Sequence, residues 1–193
     1  MKVTAAKLSP LLKSDAQGLI LAQLFMNPEE FFSISDLAEF AAVSLPTAMR
    51  EVDRLLDAQL VIQKTVGKAR LIQPNRKNLL FESVSQIITY SYGPAAVLPS
   101  VLLGIDGIAH AYLFGTWAAR LSKQAGPTPK EVDLLLVGQV SRIEASRAAA
   151  KAEDVLGREI NVQFASALEW QRAESDFVRE IQSRPLVELA LIA

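Results

Sequence analysis

The stretch that most constrains this chain is "SISDLAEFAAVSLPTAMREVDRLLDAQLVIQKTVGKARLIQP", residues 33–74. Its first part has helical spacing, with Ser33 or Ser35 as N-cap and Leu37, Ala38 and Ala41 turned inward. Ser44 is placed to cap a second helix, and Pro46 sits in its first turn, where a missing N–H costs little. Ala48, Val52, Leu55 and Leu56 make the inward stripe of that helix. Thr47, Arg50 and Arg54 fall on the opposite side at spacings of three and four. Two β-rich runs follow around Val66-Gly67-Lys68, a hairpin signal, with Lys64, Lys68 and Arg70 on or beside the tip. Ahead of all this, "SDAQGLILAQLFMNP" predicts a helix started by Ser14 and stopped by Pro28.

Charge singles out the same region. The chain has 193 residues and a formal net charge of -1, so it offers no global attraction for nucleic acid or membrane. Between residues 44 and 77, however, 7 Lys/Arg stand against 3 Asp/Glu, while residues 79–193 hold 10 against 13. No cysteine is present, which removes disulfides, thiol nucleophiles and Cys-ligated zinc. A single histidine, His110, leaves no basis for a His metal cluster or a Ser-His-Asp triad; it is expected to be a strand residue with a satisfied ring nitrogen. The first 25 residues carry only a short apolar run broken by Lys13, Asp15 and Gln17, with no cleavage pattern, so a cytoplasmic protein without a membrane span is expected.

From Ser14 to about Asn78 the order helix, helix, helix, basic hairpin resembles the small bacterial winged helix-turn-helix regulators. That resemblance implies binding to double-stranded DNA, with the helix after Ser44 in the major groove. Ser44, Pro46, Thr47, Arg50 and Arg54 would be the helix contacts, and Lys64, Lys68 and Arg70 the hairpin contacts. It also implies a homodimer on two half-sites. Residues 79–94, "LLFESVSQIITYSYGP", predict a connecting helix ended at Gly93-Pro94, with an apolar face that needs a partner.

The second half alternates. "AAVLPSVLLGIDG" predicts a helix, "IAHAYLFG" a central strand, "WAARLSKQ" a helix and "EVDLLLVG" a strand. "SRIEASRAAAKAEDVLG" predicts a long helix, "REINVQFAS" a strand, "ALEWQRAESDFVREIQS" one helix, and "PLVELALIA" a closing strand. An α/β layer structure with a mixed sheet over residues 95–193 is the expectation, beside a winged-helix domain over 1–78 and a connecting helix over 79–94. The fold class is α+β overall. Trp117 and Trp170 are expected to be packing residues.

Phe114-Gly115-Thr116, followed after a helix by Glu131-Val132-Asp133 on a strand, resembles the nucleotidyltransferase (DNA polymerase beta) superfamily, especially its minimal members. The resemblance implies that Gly115 and Thr116 approach a nucleoside triphosphate. It implies that Glu131 and Asp133, on one face of a strand because they are two apart, hold Mg²⁺. The chain departs from the pattern at four places: Thr116 for serine, Glu131 for aspartate, a longer loop "KQAGPTPK", and Asn161 and Gln163 where a third carboxylate belongs. The expected function is therefore a DNA-binding transcriptional regulator whose second domain is catalytically silent and senses a ligand, dimerises or docks a protein partner. The alternatives are an active Mg-dependent nucleotidyltransferase recruited by the winged helix, and an interaction protein of toxin–antitoxin type.

Overall fold

The computed structural model describes residues 12–122, 124 and 128–191. The expectations for the first 11 residues, for half of the loop "KQAGPTPK" (residues 123 and 125–127) and for the last two residues lie outside the described residues. The fold is mixed α+β with two separate sheets, and the chain divides into two compact units between Gly93 and Pro94.

The first unit holds α1 (Asp15–Phe25), β1 (Phe32–Ser33), α2 (Ile34–Phe40), α3 (Leu45–Asp57), β2 (Val61–Val66), β3 (Ala69–Pro74) and α4 (Phe81–Tyr92). Local chemistry sets the helix starts. The Ser14 hydroxyl accepts from the Gln17 N–H, and Ser33 with Asp36 forms a reciprocal capping box. Ser44 precedes α3 in extended backbone, yet its hydroxyl bonds to that of Thr47 at 2.9 Å rather than to an N–H. The Gly67-Lys68 turn joins β2 to β3, Gly67 taking a left-handed φ of 60°. β1 pairs with the other edge of β3, giving the order β1-β3-β2, all antiparallel. Ile20, Leu24, Phe25, Leu37, Val52 and Ile72 are wholly buried in the unit's interior.

The segment expected to connect the units packs within the first one. Phe81 of α4 stacks on Phe25 of α1 at 5.8 Å, and the buried Tyr92 lies against Gly18. Gly18 would cost a helix interior about 1 kcal/mol relative to alanine, and the contact explains it. A Cβ there would come closer than 3.0 Å to the Tyr92 phenol end. Gly18→Ala is therefore expected to destabilise this unit by about 1–3 kcal/mol through overpacking. In a Tyr92→Leu background only helix propensity is left, and the same change should turn neutral or stabilising. Urea unfolding followed by far-UV circular dichroism separates these; equal losses in both backgrounds would contradict the packing account.

The second unit holds α5 (Pro94–Leu102), β4 (Ile108–Phe114), α6 (Gly115–Leu121), β5 (Glu131–Gly138), α7 (Arg142–Leu156), β6 (Glu159–Ala165), α8 (Ala167–Arg172), α9 (Asp176–Gln182) and β7 (Val187–Glu188). Its sheet has the order β6-β5-β4-β7. β5 and β6 are parallel, joined through α7, while β4 runs antiparallel to both β5 and β7. The buried alanines of α7, Ala145, Ala148, Ala149 and Ala152, let this helix pack closely. On one face of the sheet, Leu135, Val137 and Ala165 cluster with Val178 and Ile181 of α9. Among the described residues no helix is long and apolar enough to cross a membrane.

Two expectations are corrected here. The single helix expected over "ALEWQRAESDFVREIQS" is two, because Ala173 takes a left-handed conformation (φ 51°) and Ser175 starts α9 by accepting from the Val178 N–H. The closing strand shrinks to Val187–Glu188, which pairs with Leu113 and Tyr112 of β4, the Leu189 N–H then donating to the Ala111 carbonyl at 2.8 Å. Trp117 is wholly buried, and Trp170 stacks on Tyr112 at 4.9 Å, so both pack. The His110 Nδ1 lies 2.7 Å from Glu188 Oε1.

Candidate functional site

Two places hold the residues singled out above, one in each unit. In the first, α3 turns Ala48, Val52 and Leu55 inward and leaves Ser44, Pro46 and Arg50 exposed, with Thr47 half-buried at the edge. Arg50 is held along the helix: its Nε donates to the Pro46 carbonyl at 3.2 Å and its Nη2 to the Thr47 hydroxyl at 3.4 Å. This extends the guanidinium along the first turn of α3, where Pro46 has no N–H and the Thr47 N–H already donates to the Ser44 carbonyl at 2.9 Å.

The other cations divide by their partners. Arg54 donates to Glu51 Oε1 at 2.6 Å, and the Glu51 side chain is only 9% exposed, so Arg54 neutralises a buried carboxylate. Arg70 donates to Asp53 of α3 at 2.6 Å and to Gln63 of β2 at 3.1 Å, which ties the hairpin to α3. Lys68 is exposed at the hairpin turn. Lys64 sits elsewhere. Side chains alternate along a strand, and the register pairs Thr65 with Arg70 and Lys64 with Leu71. Lys64 therefore projects from the sheet face opposite Arg70, where its ammonium lies 3.5 Å from the centroid of the Phe31 ring. So α3 and the hairpin bring together Ser44, Pro46, Thr47, Arg50 and, through Arg70, the turn bearing Lys68; they do not bring Lys64 to that side.

Sequence reasoning passed over Leu45 and Met49, which are 46% and 39% exposed on the outer side of α3. Their spacing of four, which puts them in one row along the flank of α3 beside the Arg50 face, was the available signal. It also passed over Glu51, which occupies an inward position three residues after Ala48.

In the second unit, Gly115 begins α6 with φ 64°, directly after β4. A Cβ on Gly115 would lie closer than 3.0 Å to the Asp133 carboxylate, so β5 presses Asp133 against the turn. Thr116 follows, exposed. Glu131 and Asp133 share one face of β5, and the parallel register places Asn161 of β6 opposite Asp133. The Asn161 Nδ2 donates to Glu131 Oε2 at 3.2 Å and approaches Asp133 Oδ1 at 3.5 Å. Burial raises the Asp133 pKa above the usual carboxylate value; the Asn161 amide opposes that rise and the Glu131 charge adds to it.

This arrangement does not fit a resident Mg²⁺. The Asn161 Nδ2, a donor, points at both carboxylates, in the place where a cation would compete, and Asn161 and Gln163 stand where a further carboxylate would belong. The same geometry has a pH consequence. Because the folded-state pKa of Asp133 is raised, stability is greatest while the group is protonated and falls as pH climbs from the unfolded aspartate value through the folded one. Asp133→Asn keeps an acceptor for Asn161 and removes that loss. Its melting temperature should exceed the wild type's near neutral pH, and the gain should vanish at about pH 3. A neutral-pH loss would contradict it.

No protein-family model matches the chain, and no curated protein or solved structure matches it either.

Proposed function

We propose that this chain is a DNA-binding transcriptional regulator. The first unit acts as a winged helix with α3 in the major groove and the β2–β3 turn against the neighbouring backbone. The second unit has a nucleotidyltransferase-like arrangement that does no nucleotide chemistry and serves in ligand sensing, dimerisation or docking of a protein partner. The observation that carries this reading is the outward face of α3: Ser44, Thr47 and Arg50, flanked by Leu45 and Met49, beside a hairpin that Arg70 and Asp53 fasten to the same helix. Arg50 supplies a bidentate donor for guanine or phosphate, and Leu45 and Met49 supply apolar contact for thymine methyl groups.

Salt titration of duplex DNA binding tests it. Lys68→Ala should lower affinity evenly across sequences and reduce the slope of log K against log salt by about one. Arg50→Ala should cost about 1–3 kcal/mol and relax preference at one position. Binding that neither change affects would remove α3 and the turn from the interface.

The pressing of the Asp133 carboxylate against the Gly115 turn favours one further reading, nucleotide transfer by the second unit. Labelled-nucleotide transfer by the wild type with Mg²⁺ or Mn²⁺, lost in a folded Asp133→Ala variant, would establish it. No transfer by the wild type is the result expected here.

A further inference from the structure

We propose that the second unit dimerises through β6, two copies joining their sheets edge to edge across a two-fold axis. This rests on the second unit alone and is independent of DNA binding. β6 is an outer strand of its sheet, seven residues long, "EINVQFA", without proline, lysine or bulge to blunt it. The Ile160 N–H is bonded to Glu153 Oε1 at 2.8 Å and so points away from β5. By the two-residue period of a strand, the backbone groups of Val162 and Phe164 point the same way. The side chains of Ile160, Val162 and Phe164 line one wall of a groove of about 330 Å³, and Ser146, Ala149 and Ala150 of α7 line the other.

Charge at the two ends of this groove selects the occupant. The Arg142 guanidinium sits 4.6 Å from the centroid of the Phe164 ring, and Glu153 sits at Ile160, so the ends carry opposite signs. Antiparallel pairing of β6 with its own copy, centred on Val162, sets Phe164 opposite the copy's Ile160. It thereby sets Arg142 against the copy's Glu153, twice over by symmetry. On the other strand face Asn161 meets Gln163, so no like charges face each other. The small residues of α7 allow the two helices to approach. Glu153 has two alternating partners in this scheme: it covers the Ile160 N–H in the single chain, and it turns to Arg142 of the second copy once that N–H is taken up by the new strand pair.

Sedimentation equilibrium of the full chain without DNA tests the assignment. The wild type should dimerise. Arg142→Glu, which sets glutamate against glutamate, should weaken the dimer at least about ten-fold. Arg142→Glu combined with Glu153→Arg should restore it to within about three-fold. Val162→Pro removes an outward N–H and no bond to β5, so it should leave the chain folded by circular dichroism and monomeric. A wild type that stays monomeric at about 100 μM, or a dimer that neither Arg142→Glu nor Val162→Pro weakens, would overturn the proposal. The second result would place the interface elsewhere on the chain.

Discussion

Gly115→Ala is expected to cost the second unit on the order of 3 kcal/mol, from two sources that can be separated. The first is backbone: φ at this residue is 64°, where an L-residue with a Cβ is strained by about 1–2 kcal/mol. The second is space, because the new methyl would press on the Asp133 carboxylate. Both tryptophans of the chain, Trp117 and Trp170, lie in this unit, so tryptophan emission during urea unfolding reports on it alone. In an Asp133→Ala background the methyl meets no carboxylate, and the loss should shrink to the backbone part, about 1–2 kcal/mol. Equal losses in both backgrounds would mean that Asp133 does not bear on the turn.

The second large effect separates two arginines that look alike on a helical wheel. Arg54→Ala should destabilise the first unit by about 1–3 kcal/mol, because the buried Glu51 carboxylate is left without its partner. One carboxylate oxygen of Glu51, Oε2, has no hydrogen-bond partner among the described residues even in the wild type, so the pair has little in reserve. Glu51→Gln added to Arg54→Ala should recover part of the loss. Arg50→Ala, by contrast, removes only bonds to its own helix on an exposed face and should change stability by no more than about 0.5 kcal/mol while DNA binding falls. Far-UV circular dichroism in urea, with DNA binding measured on the same samples, reads both. A stable Arg54→Ala protein that has lost DNA would reverse the assignment of roles.

What could be read in the sequence followed from how local each cause was. Ser14, Ser33 and Pro46 announce helix starts because a cap acts within three residues, and Gly67 announces its turn because few other residues take that φ freely. The layers of the second unit were legible from runs such as "EVDLLLVG", and the Glu131, Asp133 and Asn161 face from strand alternation. Other features needed partners far along the chain. Glu51 reads as a surface charge until α3 is seen to bury it, and α4 reads as a connector until Tyr92 is seen against Gly18. The side of Lys64 was in principle available: a two-residue loop fixes the pairing of Thr65 with Arg70, and alternation then sends Lys64 to the other face. The break at Ala173 was not, since an alanine in left-handed backbone has no sequence signature; Ser175-Asp176 behind it was the only hint.

The central claim is that α3 reads duplex DNA, and a selection of genomic fragments on the full chain at physiological salt tests it most directly. Run beside Arg50→Ala, which should remain folded, the wild type is expected to enrich a discrete site of two related half-sites that the variant fails to enrich. Enrichment of the same fragments by both proteins, or of none by the wild type, would contradict the account and leave the first unit as a docking module for another protein.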